Sequence, residues 1–167
     1  DKTIVLIPTY NEKENIVSLA EALFGLYPQT SVLVLDDNSP DGTAEQAEKI
    51  RSRFPNLSVH RRSGPRGFGR SYLDGFHKIL NDDRYDYVVM MDADFSHDPQ
   101  AIGGMIQGLA EKDMVIGSRY TAGGKIENWN WRRRILSRFA NFYVRKILGM
   151  PIKDMTTGFM CLRKNIL

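Results

Sequence analysis

The chain has little or none of several features that mark large classes of protein. It contains one cysteine, Cys161, among 167 residues, so no internal disulfide can form, which fits a reducing compartment. Phe159, Met160 and Leu162 surround this cysteine in the sequence, which predicts inert packing. No apolar run approaches the roughly 18–20 residues that span a bilayer, and no secretory signal pattern opens the chain. Within these residues the absences exclude a disulfide framework and a bilayer-spanning helix.

Repeats, low-complexity tracts and the common phosphate-binding glycine motifs are also lacking. The glycines of residues 64–69 fit neither G-x-x-x-x-G-K-[ST] nor G-x-G-x-x-G, so we assign them to turn geometry. Apolar content of 42% and charged content of 26% are ordinary for one globular domain of this length.

Charge is distributed unevenly along the chain. Residues 1–118 carry 12 Lys and Arg against 18 Asp and Glu, whereas residues 119–167 carry 11 against 2. The overall charge of +3 therefore combines −6 in the first part with +9 in the second. A basic segment of this kind predicts an anionic partner, such as a phosphate, an acidic lipid surface or nucleic acid.

Apolar strand patterns alternate with helical patterns along the first part of the chain. Strands are predicted at about 3–7, 31–35, 57–60, 87–91 and 114–116, with helices at about 12–26, 43–54, 70–80 and 99–112. Asp41 or Thr43 is expected to cap the second helix, and Pro99 suits the first turn of the fourth. This alternation predicts an α/β fold: a Rossmann-like, mostly parallel sheet with helices on both faces, in a single domain.

Polar clusters follow four of the predicted strands, at the edge where open parallel sheets bind ligands. Ordinary turns and helix caps explain some of them, but their number favours a binding site. Tyr10, Glu12 and Asp37 supply the aromatic surface and hydrogen-bond acceptors that a base and ribose require. The clusters are Pro8–Glu12, Asp36–Asp37, Asp92–Asp94 and Ser118–Tyr120.

Asp92 and Asp94 directly follow the fourth predicted strand. Two carboxylates one residue apart can converge on one divalent cation. Hard oxygen ligands suit Mg²⁺ or Mn²⁺, which usually keep positions open for the phosphates of a substrate. A polar turn is the competing interpretation of the isolated pattern. His97 is close enough in sequence to support the pair without being a ligand.

Residues 131–148 show a helical stripe of apolar side chains with arginines off the stripe, preceded by Trp129 and Trp131. A basic amphipathic helix flanked by tryptophans can lie in a membrane interface. The same pattern also fits a helix that packs on its own sheet with arginines in water. Arg133 and Ser137 are one helical turn apart and could bind a phosphate, as could Arg119.

Together, the motifs resemble the family-2 inverting glycosyltransferases, in particular the polyprenyl-phosphate (dolichol-phosphate) mannose synthases, over essentially the whole chain. The resemblance implies the GT-A glycosyltransferase fold. It also divides the chain into a nucleotide-sugar and metal half at 1–118 and a basic acceptor-binding part at 119–167, shorter at its C-terminal end than in relatives. The motifs are Pro8-Thr9-Tyr10-Asn11-Glu12, Asp36-Asp37-Asn38-Ser39-Pro40-Asp41-Gly42-Thr43, Asp92-Ala93-Asp94-Phe95-Ser96-His97, Gly117-Ser118-Arg119-Tyr120 and Glu127-Asn128-Trp129 with Arg133 and Ser137.

By position, the resemblance implies two parts of a donor site. Some relatives carry glutamine as a further metal ligand where this chain has Ser96, so a water or His97 would substitute. The cofactor would be Mg²⁺ or Mn²⁺, held by Asp92 and Asp94. The guanosine positions are Pro8, Tyr10, Glu12, Leu35 and Asp37, and the remaining donor positions are Asp92, Ala93, Asp94, Ser96 and Arg119.

The implied acceptor site lies in the basic part, where Arg119, Arg133 and Ser137 would bind the phosphate of a polyprenyl or dolichyl lipid. The implied reaction transfers mannose from GDP-mannose to that phosphate with inversion. Because the second pKa of such a phosphate is about 6, its oxygen is already anionic and no general base is expected. Catalysis would then rest on alignment and charge, from Asp92, Asp94, Arg119 and Arg133.

The resemblance also suggests where the protein works. We expect a peripheral protein at the cytoplasmic face of a membrane, attached through residues 131–148 or through a segment or subunit outside this chain. Nucleic acid is not an expected partner.

Three other functions remain open on the residues alone. A polyprenyl-phosphate glucosyltransferase that uses UDP-glucose shares most of the motifs, and a non-catalytic nucleotide-sugar-binding module would share the donor site. A phosphoacceptor receiver domain would explain Asp36-Asp37, but Ser118-Arg119 stands where that fold needs a lysine.

Overall fold

A computed structural model describes residues 2–118, 139, 142, 143, 146, 149, 154 and 157–167. Arg119, Arg133 and Ser137 lie outside these residues, as does most of the 131–148 segment. The strands are β1 (Thr3–Thr9), β2 (Ser31–Asp36), β3 (Leu57–Arg61), β4 (Tyr87–Met90), β5 (Met114–Ile116) and β6 (Met160–Arg163). The α-helices are α1 (Ile16–Leu26), α2 (Thr43–Lys49), α3 (Phe68–Ile79) and α4 (Ala101–Gly108), with short 3₁₀ helices at Ile50–Ser52 and Lys164–Ile166.

The six described strands form one sheet in the order β3-β2-β1-β4-β6-β5. The pairs β3-β2, β2-β1 and β1-β4 are parallel, whereas β6 lies antiparallel between β4 and β5. The predicted mostly parallel sheet is therefore confirmed, but a sixth strand separates the fourth and fifth. The sequence-based prediction did not include residues 160–163 as a strand.

Apolar side chains pack on both faces of the sheet, as predicted. In β1, Val5 and Ile7 belong to a core that α1, α2 and α4 cover, whereas Ile4 and Leu6 belong to a second core under α3. Alternation along a strand places successive side chains on opposite faces, which explains why the whole strand is apolar. Cys161 is fully buried between β4 and β5, and burial raises the pKa of its thiol to about 12. The prediction of inert packing is confirmed.

The start of α1 and the N-cap of α2 differ from the prediction, and α4 begins at Ala101, so Pro99 precedes that helix and does not lie in its first turn. Helix α1 begins at Ile16 and not at about residue 12, since the Glu12 carbonyl accepts the Asn15 and Ile16 amides in a preceding turn. Neither Asp41 nor Thr43 occupies the N-cap position of α2, although Asp41 Oδ1 accepts the Thr43 amide at 3.0 Å. The N-cap of α2 is Gly42, at φ 88°, a left-handed conformation that glycine adopts without strain.

Candidate active site

A cavity of about 290 Å³ opens at the carboxyl ends of β1, β2 and β4, the edge that the sequence predicts. Four chain segments line it: the ends of these three strands with the residues that follow them, and the first turn of α3. The lining residues are Pro8, Thr9, Tyr10, Glu12, Asp37, Phe68, Ser71, Asp92, Ala93 and Asp94.

The loops after β1 and β2 are tied to each other beside this cavity. Three consecutive amides of the first loop donate to side chains of the second. The Asn11 amide donates to Ser39 Oγ at 3.1 Å, and the Glu12 amide to Thr43 Oγ1 at 2.9 Å. The Lys13 amide donates to Asp41 Oδ2 at 3.1 Å. This bracing gives the Asp36–Thr43 motif a physical role, because it holds Tyr10 and Glu12 against the cavity.

The two adjacent carboxylates after β2 have different roles. Asp36 is buried and accepts hydrogen bonds from Thr9 Oγ1 at 3.0 Å and from the Ser39 amide and hydroxyl at 2.9 and 2.6 Å. Asp37 instead lines the cavity, where its Oδ2 accepts the Gly67 amide at 3.0 Å and Ser71 Oγ at 3.2 Å. Asp36 therefore shapes the turn, and Asp37 is the carboxylate available to a ligand.

The acidic loop after β4 presents Asp92 and Asp94 to the same cavity. Asp94 is exposed, and its Oδ1 accepts the Ser96 amide at 3.0 Å. Phe95, which directly follows Asp94, has a φ of 58°, which is rare for an aromatic residue and marks local backbone strain. Strain of this kind is common where a loop must present side chains to a ligand.

His97 supports the acidic loop from beneath. Its Nδ1 accepts the Asp92 amide at 3.0 Å, so this nitrogen carries no proton, and its Nε2 lies 3.7 Å from Asp92 Oδ2. The buried ring stacks on Phe159 with centroids 4.9 Å apart. His97 thus lies beside Asp92, and its part in supporting a metal site stays a prediction. The Tyr72 hydroxyl stays protonated, because burial, the larger cause, and the negative charge of Asp92 both raise its pKa.

The chemistry of Asp92 and Asp94 fits a divalent cation. Their oxygens are hard ligands, and both side chains line one cavity that is large enough for phosphate groups as well. Within residues 2–118 and the other described positions, no cluster of three His, Cys, Asp or Glu side chains is preassembled for a metal. Two carboxylates alone suit Mg²⁺ or Mn²⁺, because such ions complete their coordination with water and substrate oxygens.

Among the predicted donor residues that the structure describes, most come together at the cavity, with two exceptions. Leu35 is fully buried in the core beneath α3, and Ser96 is exposed beside Asp94; neither lines the cavity. Leu35 carries an inward-facing side chain because it lies within β2, one residue before the strand ends. The residues that do line it are Pro8, Tyr10, Glu12, Asp37, Asp92, Ala93 and Asp94.

Sequence reasoning missed Thr9, Phe68 and Ser71 as lining residues. Phe68 and Ser71 belong to α3, which directly follows the glycine-bearing segment after β3. A segment of glycines at the carboxyl end of a parallel strand was the signal that could have found them. Arg119, Arg133 and Ser137 lie outside the described residues, so their roles stay predictions.

Comparison with known proteins gives a consistent result. The family model described as Glycosyl transferase family 2 matches residues 4–167. The polyprenol monophosphomannose synthase of Mycolicibacterium smegmatis is 41% identical over 168 residues, which cover 99% of this chain and 63% of that protein. The undecaprenyl-phosphate mannosyltransferase of Micrococcus luteus is 37% identical over 166 residues, which cover 99% and 68%. The chain therefore spans about two thirds of the length of these relatives.

Solved structures share the fold at low sequence identity. Glucosyl-3-phosphoglycerate synthase from Mycobacterium tuberculosis, in complex with Mn²⁺, UDP-glucose and phosphoglyceric acid, matches 99% of this chain and 57% of its own with a TM-score of 0.72 and 18% identity. A mannosyltransferase from Pyrobaculum calidifontis, in complex with GDP-Man and Mn²⁺, matches 69% of this chain and 34% of its own, with a TM-score of 0.57 and 22% identity. The predicted GT-A glycosyltransferase fold is confirmed.

Among the helices that the structure describes, none has the length and apolar character needed to cross a bilayer.

Proposed function

The chain belongs to glycosyl transferase family 2, and from this premise we propose that it transfers mannose from GDP-mannose to a polyprenyl monophosphate with inversion. The product would be a polyprenyl-phosphate β-mannose. One observation carries the proposal: a single cavity joins Tyr10, Glu12 and Asp37 to the pair Asp92 and Asp94. A nucleoside and a diphosphate bound to a metal ion need such groups side by side.

The donor would lie along this cavity with its nucleoside toward the loops after β1 and β2. Tyr10 offers an aromatic face, and Glu12 and Asp37 offer acceptors for ribose hydroxyls and for base N–H groups. The diphosphate would lie against Asp92 and Asp94, which would hold Mg²⁺ or Mn²⁺. The bound ion would neutralise the charge that develops on the departing nucleoside diphosphate.

The acceptor half of the proposal rests on family resemblance and on the names of the relatives. Those relatives are named for mannosyl transfer to polyprenol and undecaprenyl phosphate. We assign the lipid phosphate to Arg119, Arg133 and Ser137, whose cationic and hydroxyl groups would place its oxygen in line with the anomeric carbon. Because that oxygen is anionic, proton removal is not needed.

Contact with a membrane surface is part of the proposal. In the described part of 131–148, Phe139, Phe142 and Tyr143 expose 64%, 53% and 50% of their surface, and Lys146 is also exposed. Exposed rings beside cationic side chains are typical of segments that lie in a lipid interface. We place the protein peripherally at the cytoplasmic face, attached through this segment or through a further segment or subunit.

The test is transfer of labelled sugar to a short polyprenyl phosphate by the purified protein with Mn²⁺. GDP-mannose is expected to give a labelled lipid whose sugar phosphate is β-linked by NMR, and EDTA is expected to abolish its formation. Labelled lipid from UDP-glucose alone would show that the donor is wrong. Tight nucleotide-sugar binding without transfer would make the protein a binding module.

A further inference from the structure

Arg62 is a buried cation that the proposed chemistry does not use. It directly follows β3, and its side chain is only 3% exposed. Burying a guanidinium is costly unless its charge is balanced and its donors are satisfied. Its partners therefore indicate why the chain places it there.

The hydrogen-bond partners of Arg62 include residues that line the cavity and residues that do not. Arg62 Nη1 forms an ion pair with Asp37 Oδ1 and donates to Ser71 Oγ at 3.1 Å. Its Nε donates to Asp74 Oδ2 at 2.7 Å, and this hydrogen bond lowers the pKa of Asp74. Its Nη2 lies 3.5 Å from the Pro65 carbonyl. Two of these partners, Asp37 and Ser71, line the cavity.

The contacts leave Asp37 with acceptor capacity on one oxygen. A carboxylate offers about four acceptor positions, two on each oxygen. Asp37 Oδ2 accepts both the Gly67 amide and Ser71 Oγ, while Oδ1 accepts Arg62. By this count one acceptor position on Oδ1 is not used by these contacts, and Asp37 lines the cavity. A ligand N–H group is the natural donor for it.

Residues 62–67, the segment that begins with Arg62, also contact Tyr10, the other residue proposed to face the nucleoside. Gly67, in residues 62–67, donates its amide to Asp37, and the Arg66 guanidinium lies 4.4 Å from the centroid of the Tyr10 ring. The segment thus contacts both Tyr10 and Asp37. Anchoring it through Arg62 would fix the two groups relative to each other.

We propose that Arg62 is the positioning residue of the nucleoside site, and that it aims the Asp37 carboxylate at an N–H group of the nucleobase. The inference rests on the proposed function and extends it from donor binding to recognition of the base. Guanine and uracil both present a ring N–H that such a carboxylate accepts. The alternative is that Arg62 only stabilises the packing of α3 beside β3, and an experiment must distinguish this from a role in base recognition.

The experiment measures nucleotide binding by calorimetry with Mn²⁺ present, for the unmodified chain and for Arg62→Met and Arg62→Lys. GDP is compared with ribose 5-diphosphate, which has the same diphosphate and no base. Losing a charge-assisted hydrogen bond predicts a GDP dissociation constant about 10–100-fold higher in Arg62→Met. Arg62→Lys is expected to recover part of this loss, because lysine keeps the charge but not the guanidinium fork. Binding of ribose 5-diphosphate is expected to change little.

Arg61→Met is the matched control. Arg61 is the neighbouring residue in β3, but it is half exposed and pairs with Glu45 and Glu48 at the surface. Its replacement is expected to leave both dissociation constants unchanged. In transfer assays, Arg62→Lys is expected to raise the KM for GDP-mannose while kcat stays within about threefold, since only donor binding is affected.

The outcomes separate the inference from the function it rests on. If the unmodified protein bound neither GDP nor UDP, the proposed function would fall and the inference with it. If GDP bound normally and Arg62→Met lost stability but kept the same GDP dissociation constant, Arg62 would be structural only. Equal weakening of GDP and ribose 5-diphosphate would also overturn base recognition. Should Arg62→Met fail to fold, Arg62→Lys and Asp74→Asn, which perturb the same contacts less, provide the same comparison.

Discussion

The loops on the two sides of the cavity are held in different ways. On the nucleoside side, residues 10–13 and 36–43 are joined by hydrogen bonds from consecutive amides to side chains, and Asp37 is clamped by Arg62. On the acidic side, residues 92–98 rest on a stack of the His97 and Phe159 rings, and Asp94 is open to solvent. On the nucleoside side the side chains are held by hydrogen bonds within the protein, whereas on the acidic side the Asp94 carboxylate is exposed to solvent.

This difference matches what each side is proposed to bind. A nucleobase is recognised by the direction of a few hydrogen bonds, so its partners benefit from being fixed in advance. A divalent cation accepts oxygens from protein, water and phosphate and requires carboxylates that it can reach. Changes on the acidic side should therefore affect catalysis more than folding, and changes on the braced side should affect folding as well.

The largest effect is expected from Asp94→Ala. Removing one of two metal-binding carboxylates should lower metal-dependent transfer about a thousandfold, since a bound cation contributes several kcal/mol to stabilising the leaving group. Because Asp94 is exposed, the unfolding midpoint should barely move. Initial rates at saturating donor and Mn²⁺ titrations measure the effect. Asp83→Ala, at an exposed aspartate that does not line the cavity, is the control, and full activity in Asp94→Ala would refute the metal assignment.

Asp36→Ala tests the braced side. The buried carboxylate accepts bonds from Thr9 and Ser39, so its removal leaves donors without their partner. We expect the free energy of unfolding to fall by about 2–3 kcal/mol, measured by urea denaturation. A stability equal to that of Asp83→Ala would show that Asp36 does not organise the turn.

Gly117→Ala tests the ring stack under the acidic loop. A Cβ at this position would overlap the Phe159 ring, which stacks on His97. Overpacking of this kind should lower the free energy of unfolding by about 1–2 kcal/mol. Gly104→Ala is the contrasting variant, because its Cβ meets nothing within 4 Å and α4 should gain up to about 1 kcal/mol. Chemical denaturation of both variants would reveal whether the two changes have opposite signs, as expected.

The smallest effect is a pH dependence from Asp41. Burial alone would raise the pKa of Asp41, but hydrogen bonds from the Thr43 side chain and from the Lys13 and Thr43 amides outweigh it and lower that pKa. A lowered folded-state pKa gives stability that is present above the unfolded value of about 3.9 and is lost as pH falls through the folded value. Asp41→Asn should therefore remove less than about 1 kcal/mol near pH 7 and flatten the acid limb below about pH 4. An unchanged acid limb in thermal melts would contradict this.

Much of the fold was predictable because its signals are local. Strands β1, β2, β4 and β5 are short apolar runs bounded by polar turns, and their parallel arrangement follows from the helices between them. Strand β6 was missed because Cys161 is opposite Val89 and Val115, partners that lie far away in the sequence. These long-range pairs place β6 between β4 and β5, and the four residues alone do not specify that position.

The amino-acid sequence was sufficient to bring the polar motifs to one edge of a sheet and to identify the family, because strand ends and motif order are properties of the chain itself. It could not distinguish Asp36 from Asp37 or Arg61 from Arg62. The two residues of each pair have the same side chain. Asp37 and Arg62 form an ion pair beside the cavity, whereas Asp36 holds a turn and Arg61 makes a surface ion pair. Three-dimensional packing separates them, because neighbouring side chains at a strand end point in different directions and meet partners from distant segments.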